Sequence, residues 1–550
     1  MKKEYYEGLD KLHLRATLKA LGIPLDKSVI AVISAQNATV LGNAELETVT
    51  KQVCEGIASA GAVAKIMYLP SFSDATVYGS EQAKYEILLR NTIANEVQMI
   101  AGQEFLSGIV FVASNTVSVV GMLMGAIRLN LPCMFVSGGV MSPFLTAEGQ
   151  KGYNHWYSAV GKIRAGILKL EDSGVIENTM PQFLGVDCEQ YEPNSVNCMM
   201  EVLGLALEGN CTVMSASRSR NQIAFNTGRA VVFLIEKNIT LENIITNASL
   251  SACAAFNIAA GGCPSNLLHI LAVAGEAKRK WNIKTVDLSK IESLCKKVPL
   301  LYKEKEGVCF TQAFALAGGV YALLKELKTL SLIDCDYPYY GGDSLNALIE
   351  KERPRDDNVI LDGKNPLLPY GKIRVLYGNI AEKGAVATFD GVTNSFIGPA
   401  KVYENEESLT YAVLDREIKK GTVIVVRNEG PRSAPGMREL IQPLALLKAL
   451  GLGKDVAVVT DGKIPADYDG FAVGHITPET VDMGLIALLQ DGDVIEINIG
   501  KGKISADIKA KEIERRKPSV NVTFAAASNM LKLHASIITP ATNGCIDKDV

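Results

Sequence analysis

Residues 121–141 read GMLMGAIRLNLPCMFVSGGVM. The stretch is a helix that runs into a buried strand and ends in a Gly-Gly turn. Working outward, VIAVIS (29–34), AKIMYL (64–69), GIVFVA (108–113) and CMFVS (133–137) are short apolar runs that read as buried strands. Helical patterns separate them, for example over 44–61. Strands buried on both faces and alternating with helices predict a parallel sheet covered by helices. CTVMSA (211–216) reads as a further strand, followed by a long helical zone that includes SNLLHILAVAGEAKRKW.

Near 337–369 the texture changes: YPYYGG and KNPLLPYGK flank the polar run KERPRDD, a linker composition. KIRVLYG, TVIVVRNEG, DVAVVTDG and LIALLQDGDVIEINIG then follow as β-rich segments with glycine turns, and 436–450 reads as a helix. The expected architecture is α/β: an N-terminal parallel-sheet region over 1–360, then a smaller β-barrel-like domain with flanking helices over 361–550.

Net charge is −4 with no basic stripe, which argues against nucleic acid as a partner. The charge-free stretches 108–127 and 244–275 carry Ser, Asn and Gly clusters and read as buried strand–turn–helix units, not membrane spans. The opening MKKEYYEGLDKLHLR lacks the apolar core of a secretory signal. Eleven cysteines are scattered without a CxxC pair, as expected of free thiols in a reducing cytoplasm. Five dispersed histidines offer no zinc spacing.

The quoted stretch also resembles, almost residue for residue, a segment of the dihydroxy-acid dehydratase / 6-phosphogluconate dehydratase (IlvD/Edd) family. The resemblance continues through MEVLGLAL (200–207), Gly261-Gly262, LHILA (268–272) and ALAGGVYALLKEL (315–327). It runs on through NPLLPYGKIRVLYGNIAEKGAVA, GPAKVY, EGPRSAPGMREL, VVTDG (458–462), GHITPE (474–479) and IALLQDGDVIEI. The resemblance implies the fold above, a homodimer, and enzymes that remove water from a 2,3-dihydroxy acid to give a 2-keto acid. In that family a cluster on three cysteines acts as Lewis acid on the leaving hydroxyl. A magnesium ion grips the carboxylate and 2-hydroxyl, and a serine alkoxide removes the proton at carbon 2.

Carried over position by position, the cysteines fall on Gly42, Asn115 and Asp187, or on Cys188 if one loop residue is deleted. The Asp-Lys pair that serves magnesium falls on Thr116-Val117, and the serine falls on Pro465 in TDG-Lys-Ile-Pro. The Ser-Gly-Gly loop becomes Pro465-Ala466-Asp467. Thiolates are the normal cluster ligands, so no iron–sulfur cluster is expected. Carboxylates matching magnesium positions are Asp74, Glu439 and, nearby, Glu81, which could hold Mg²⁺ weakly or simply make hydrogen bonds in a polar cleft.

Several other residues have two readings. His475 in VGHITPE could transfer protons near neutral pH or be a turn histidine bonded to backbone. Asp467 and Asp469 in IPADYDG could supply a replacement base or be solvated loop acids. Ser137-Gly138-Gly139 could present N–H groups to a substrate anion or be a tightly packed turn. His269 on an apolar helix reads as a satisfied core histidine more often than as a base, and Arg218 and Arg220 as surface residues or carboxylate binders. The expected function is a divergent lyase acting on a hydroxy acid or sugar acid without the iron–sulfur mechanism. The alternative is a non-catalytic small-acid-binding protein or partner subunit on the same scaffold.

Overall fold

The computed structural model describes residues 11–72, 80–146, 149–178, 184–190, 192–342, 344–434, 436–465, 468, 470–519 and 528–548. Asp74, Asp467 and Asp469 lie outside the described residues.

Four strands, β1 (Val29–Ser34), β2 (Val63–Tyr68), β3 (Leu106–Val112) and β4 (Cys133–Val136), form a wholly parallel sheet in the order β2-β1-β3-β4. Every residue of β1 and β4 is buried, as both-face coverage requires. β1 has the bounds expected from sequence, and the ends of the other three strands differ by at most two residues, because pairing register rather than composition ends a strand.

The helices that matter here are α1 (Leu46–Ser59), α2 (Glu86–Ala101), α3 (Thr116–Leu129), α4 (Glu192–Val202), α5 (Arg218–Glu236) and α6 (Ser265–Trp281). The opening glycines of the quoted stretch explain how α3 packs. Gly121 and Gly125 lie four apart on one face, and added Cβ atoms would sit 2.5 Å from the Arg90 carbonyl and 2.7 Å from that of Ala94. Only glycine lets α3 approach α2 so closely. The expected strand at 211–216 does not form. That segment is a series of turns whose backbone meets the sheet region only at a Met214–Val140 bridge. A short hairpin, β5 (Phe144–Thr146) and β6 (Gly149–Lys151), follows the Gly-Gly turn.

The second region is an eight-stranded sheet: β7 (Ile373–Leu376), β8 (Gly384–Thr388), β9 (Ser395–Tyr403), β10 (Val423–Val426), β11 (Ala457–Thr460), β12 (Phe471–Thr477), β13 (Val494–Asn498) and β14 (Lys503–Ala506). Its order is β14-β13-β9-β10-β11-β12-β8-β7, and a Tyr377–Lys503 bridge brings the two edges together into a nearly closed barrel. Period-two alternation divides the strands: Val423, Val425, Val459 and Val473 fill one core. Ile424, Val426 and Val458 pack outward against α7 (Glu406–Leu414) and α8 (Ile441–Ala449). The apolar run LIALL, expected as strand, is the short helix Leu485–Leu488. Ile373, Val375 and Val386 belong to the N-terminal core, so the barrel is built onto the first region. Among the described residues no helix is long and apolar enough to cross a membrane.

Candidate functional site

The parallel sheet reverses its strand order between β1 and β3, and open α/β sheets place ligands beyond the carboxyl ends of strands at such a point. Gly42 follows β1 and Asn115 follows β3. A Cβ on Gly42 would touch the Ser114 Cβ at 3.4 Å and Val186 Cγ2 at 4.0 Å. The three positions Gly42, Asn115 and Asp187 therefore meet through their immediate neighbours.

What stands there is already bonded. Asn115 caps α3, its Oδ1 accepting the Ser118 N–H at 2.9 Å. Its Nδ2 donates to Ser71 Oγ (2.8 Å) and the Phe72 carbonyl (2.7 Å). Buried Asp187 accepts the N–H groups of Tyr153 and Glu189, each at 3.2 Å, and burial raises its carboxyl to about 7. Val117 is buried in the core, and Thr116 Oγ1 is buried with no hydrogen-bond partner.

The Ser137–Gly139 turn is committed to the protein. Ser137 N–H donates to Asn210 Oδ1 (2.8 Å), Gly138 N–H to Ser114 Oγ (2.9 Å) and Gly139 N–H to Ser137 Oγ (3.3 Å). Gly139 has φ +100°, and a Cβ there would sit 2.6 Å from the Ser215 nitrogen, so glycine is required. Arg218 is exposed, but Arg220 is fully buried, correcting the surface reading. Its guanidinium donates to the carbonyls of Gly209, Asn210 and Val213, which holds the 209–213 turns.

A charged group joins the two regions. Asp461, at the end of β11, accepts from Glu429 N–H (2.8 Å) and Thr480 Oγ1 (2.8 Å) and fixes the turn that aims Lys463 inward. Lys463 is 1% exposed, and its Nζ donates to Glu86 Oε1 (2.6 Å) and Oε2 (2.7 Å) and lies 3.6 Å from Glu192 Oε2. His269 Nε2 lies 2.6 Å from Glu192 Oε1, and its Nδ1 lies 3.4 Å from Arg90 Nη1. Burial lowers the His269 pKa against the pull of Glu192, so the ring is neutral. Arg90 has only donors, so Nδ1 accepts from it and Nε2 carries the hydrogen that goes to Glu192. Burial raises Glu192, but Lys463 and His269 outweigh it and hold the carboxylate low, at about 2. Both carboxylates thus face Lys463, while Arg90 spends its donors on Asn91, the His269 ring and the carbonyls of Gly544 and Cys545. Donor atoms of Glu86, Glu192 and His269 lie within 4.8 Å of one another, a spacing that suits a metal, but the ammonium of Lys463 already supplies the positive charge.

His475 is the nearest sequence-predicted candidate. It is 3% exposed at φ +58°, with its N–H on the Gly462 carbonyl at 2.9 Å. Its Nε2 has no partner. Burial, reinforced by Lys463, pushes its pKa down to about 3. Asn194, Ser265 and Asn266 also carry buried polar atoms without partners. The helix starts that bear them are joined: Cys263 N–H donates to Ser195 Oγ (3.3 Å), and Asn197 Nδ2 to the Ser114 carbonyl (3.0 Å). Buried polar atoms left unpaired are costly, and this convergence of α3, α4 and α6 is where a polar ligand or water gains most.

Of the remaining candidates, Pro465 is buried beyond Lys463 and Glu439 is half-buried. Glu81 gives both carboxylate oxygens to Lys84 Nζ, at 2.9 and 2.8 Å. Sequence reasoning missed Lys463, Glu86 and Glu192. The available signal was a glutamate set in the apolar run YEILL.

Two family models match the chain in succession. The dihydroxy-acid/6-phosphogluconate dehydratase N-terminal model covers residues 27–348, and the C-terminal model of the same name covers 358–545. A dihydroxy-acid dehydratase of Dehalococcoides mccartyi (strain CBDB1) is 33% identical over 98% of this chain and 99% of its own length. Those of Acetivibrio thermocellus and Pyrococcus furiosus are each 32% identical over 98% of both chains.

Proposed function

Because the chain belongs to the dihydroxy-acid/6-phosphogluconate dehydratase family, we propose that it is a divergent hydro-lyase of that lineage, acting on a hydroxy acid or sugar acid without an iron–sulfur cluster. The observation that carries this reading is the donor set where Gly42, Asn115 and Asp187 meet. Gly42 has no side chain, Asn115 spends its amide on Ser118, Ser71 and Phe72, and Asp187 is bonded to backbone N–H groups. Clusters are held by thiolates, and these residues do not fit one. Anaerobically purified protein is expected to be colourless, with no stoichiometric iron or sulfide. Brown protein with about two irons per chain overturns the reading.

Elimination of water needs a base at carbon 2 and an acid at the leaving hydroxyl. Pro465 has no proton to exchange. Asp467 and Asp469, which follow it in the same loop, are the proposed proton acceptors. His475, neutral above about pH 3, is too weak a base for that step and is assigned to hydrogen-bond the substrate through Nε2. The Ser137–Gly139 turn forms part of the floor.

Magnesium is proposed at Asp74 and Glu439. Glu81 is a weaker third ligand, because Lys84 holds both of its oxygens. Two carboxylates and several waters make a weak site. Calorimetric titration is expected to show Mg²⁺ binding on the order of millimolar or weaker, abolished in Glu439→Ala. Tight binding that ignores this substitution would place the ion elsewhere. The assembly proposed is a homodimer.

One observation favours the second reading, a non-catalytic acid-binding protein or partner subunit. Lys463, the cation beside the altered loop, is satisfied within the chain by Glu86 and Glu192.

A further inference from the structure

Beyond Asp187 the chain carries a second arrangement that the dehydratase reading does not use. Cys188 and Cys309 come from segments far apart in sequence and are held side by side by backbone. Thr311 N–H donates to the Cys188 carbonyl at 3.0 Å, Phe310 N–H to Glu189 Oε2 at 3.1 Å, and Cys309 N–H to Gln150 Oε1 at 3.0 Å. The two side chains pack in one buried cluster with Met141 and Phe144. Cys188 Sγ also lies 3.7 Å from the Lys151 carbonyl, and Cys309 Sγ 3.7 Å from Thr311 Oγ1. Both are free thiols.

Both are buried, Cys309 at 2% and Cys188 at 0% exposure, and of the two only Cys309 lines a cavity. Cys309 lines a cavity of about 660 Å³ between the β5–β6 hairpin and the 309–316 segment, with Met141, Phe144, Gln150, Thr212 and Gln312. Cys188 is fully buried behind it. A cavity of that size admits small molecules, and its wall mixes apolar and amide groups. Two further cysteines, Cys198 and Cys211, are buried in the main core, and neither lines this cavity.

We propose that Cys309 and Cys188 form a peroxide-reactive thiol pair, with Cys309 the attacking sulfur reached through the cavity and Cys188 the resolving one. In the first step the Cys309 thiolate attacks one peroxide oxygen. An S–O bond forms, the O–O bond breaks, and hydroxide or alkoxide leaves and takes up a proton. The sulfur is oxidised by two electrons and the peroxide is reduced. In the second step Cys188 sulfur attacks Cys309 sulfur. The S–S bond forms, the S–O bond breaks, and the Cys188 proton leaves with the oxygen as water. The side-chain contact with Cys188 lowers the Cys309 pKa, which favours the thiolate that the first step needs. This inference does not depend on the hydro-lyase reading, since it concerns other residues and is read without substrate.

The test treats the fully reduced, full-length protein with stoichiometric hydrogen peroxide, alkylates the remaining thiols and maps the peptides by mass spectrometry. A Cys188–Cys309 disulfide is expected, reversed by dithiothreitol. Its formation should be at least about tenfold faster than oxidation of half-buried Cys54, whose pKa is raised by its burial. In Cys188→Ser the expected product is a Cys309 sulfenic acid trapped by dimedone, and in Cys309→Ser neither product forms. If Cys54, Cys198 or Cys211 oxidises first while Cys188 and Cys309 stay reduced in the wild type, the proposal is overturned.

Discussion

Incubated with 2,3-dihydroxyisovalerate or 6-phosphogluconate, the purified protein is expected to give no keto acid above background in a semicarbazide assay. A positioned general base contributes about 10²–10⁴-fold, and metal activation of the leaving hydroxyl adds several kcal/mol more. Pro465 cannot provide the first contribution. Gly42, Asn115 and Asp187 cannot hold the group that provides the second. A panel of other hydroxy acids and sugar acids then separates the two readings. Turnover of any of them, lost in Asp467→Asn or Asp469→Asn, supports the lyase and identifies its base. Binding by thermal shift without turnover across the panel favours the non-catalytic protein. Robust turnover of the two named acids refutes the cluster-free reading.

Replacing Lys463 is expected to be the most damaging single substitution at the junction. Removing one partner of a buried pair leaves an uncompensated charge, at a cost of about 3–5 kcal/mol. In Lys463→Ala both Glu86 and Glu192 lose their cation, so the urea midpoint should fall sharply. The double variant Glu86→Gln/Lys463→Met removes one acid together with the cation and is expected to regain much of the loss. The pH dependence follows from Glu192, held from 4.5 down to about 2 in the fold. A depressed carboxylate stabilises above its unfolded pKa, and that stability is lost as pH falls through the folded value. The deficit of Lys463→Ala should therefore be largest above pH 4.5 and shrink toward pH 2, as the stranded carboxylates protonate. Equal midpoints for wild type and Lys463→Ala at pH 7 would show that the pair carries no stability.

The parallel sheet was legible because VIAVIS and CMFVS are apolar up to a closing serine and bounded by turn residues. CTVMSA is similarly apolar, yet its Val213 carbonyl and those of Gly209 and Asn210 before it go to Arg220, a guanidinium that no local pattern announces. LIALL is too short for periodicity to separate helix from strand. At the site, the meeting of Gly42, Asn115 and Asp187 followed from the family resemblance. The Lys463 group did not, because a lysine in a TDGK turn reads as solvated. Its burial comes from Glu86, 377 residues earlier in the chain, and no local reading reaches that far.

Arg90 sits fully buried on α2, and its Nη2 gives hydrogen bonds to the carbonyls of Gly544 (2.8 Å) and Cys545 (2.5 Å), about 454 residues later. A guanidinium cannot be desolvated before its acceptors exist. On the ribosome, then, the first half of this protein emerges with an arginine it cannot yet enclose. That helix must stay hydrated or loosely seated until residues 544 and 545 have been made, and a stretch about 454 residues later is what seals it.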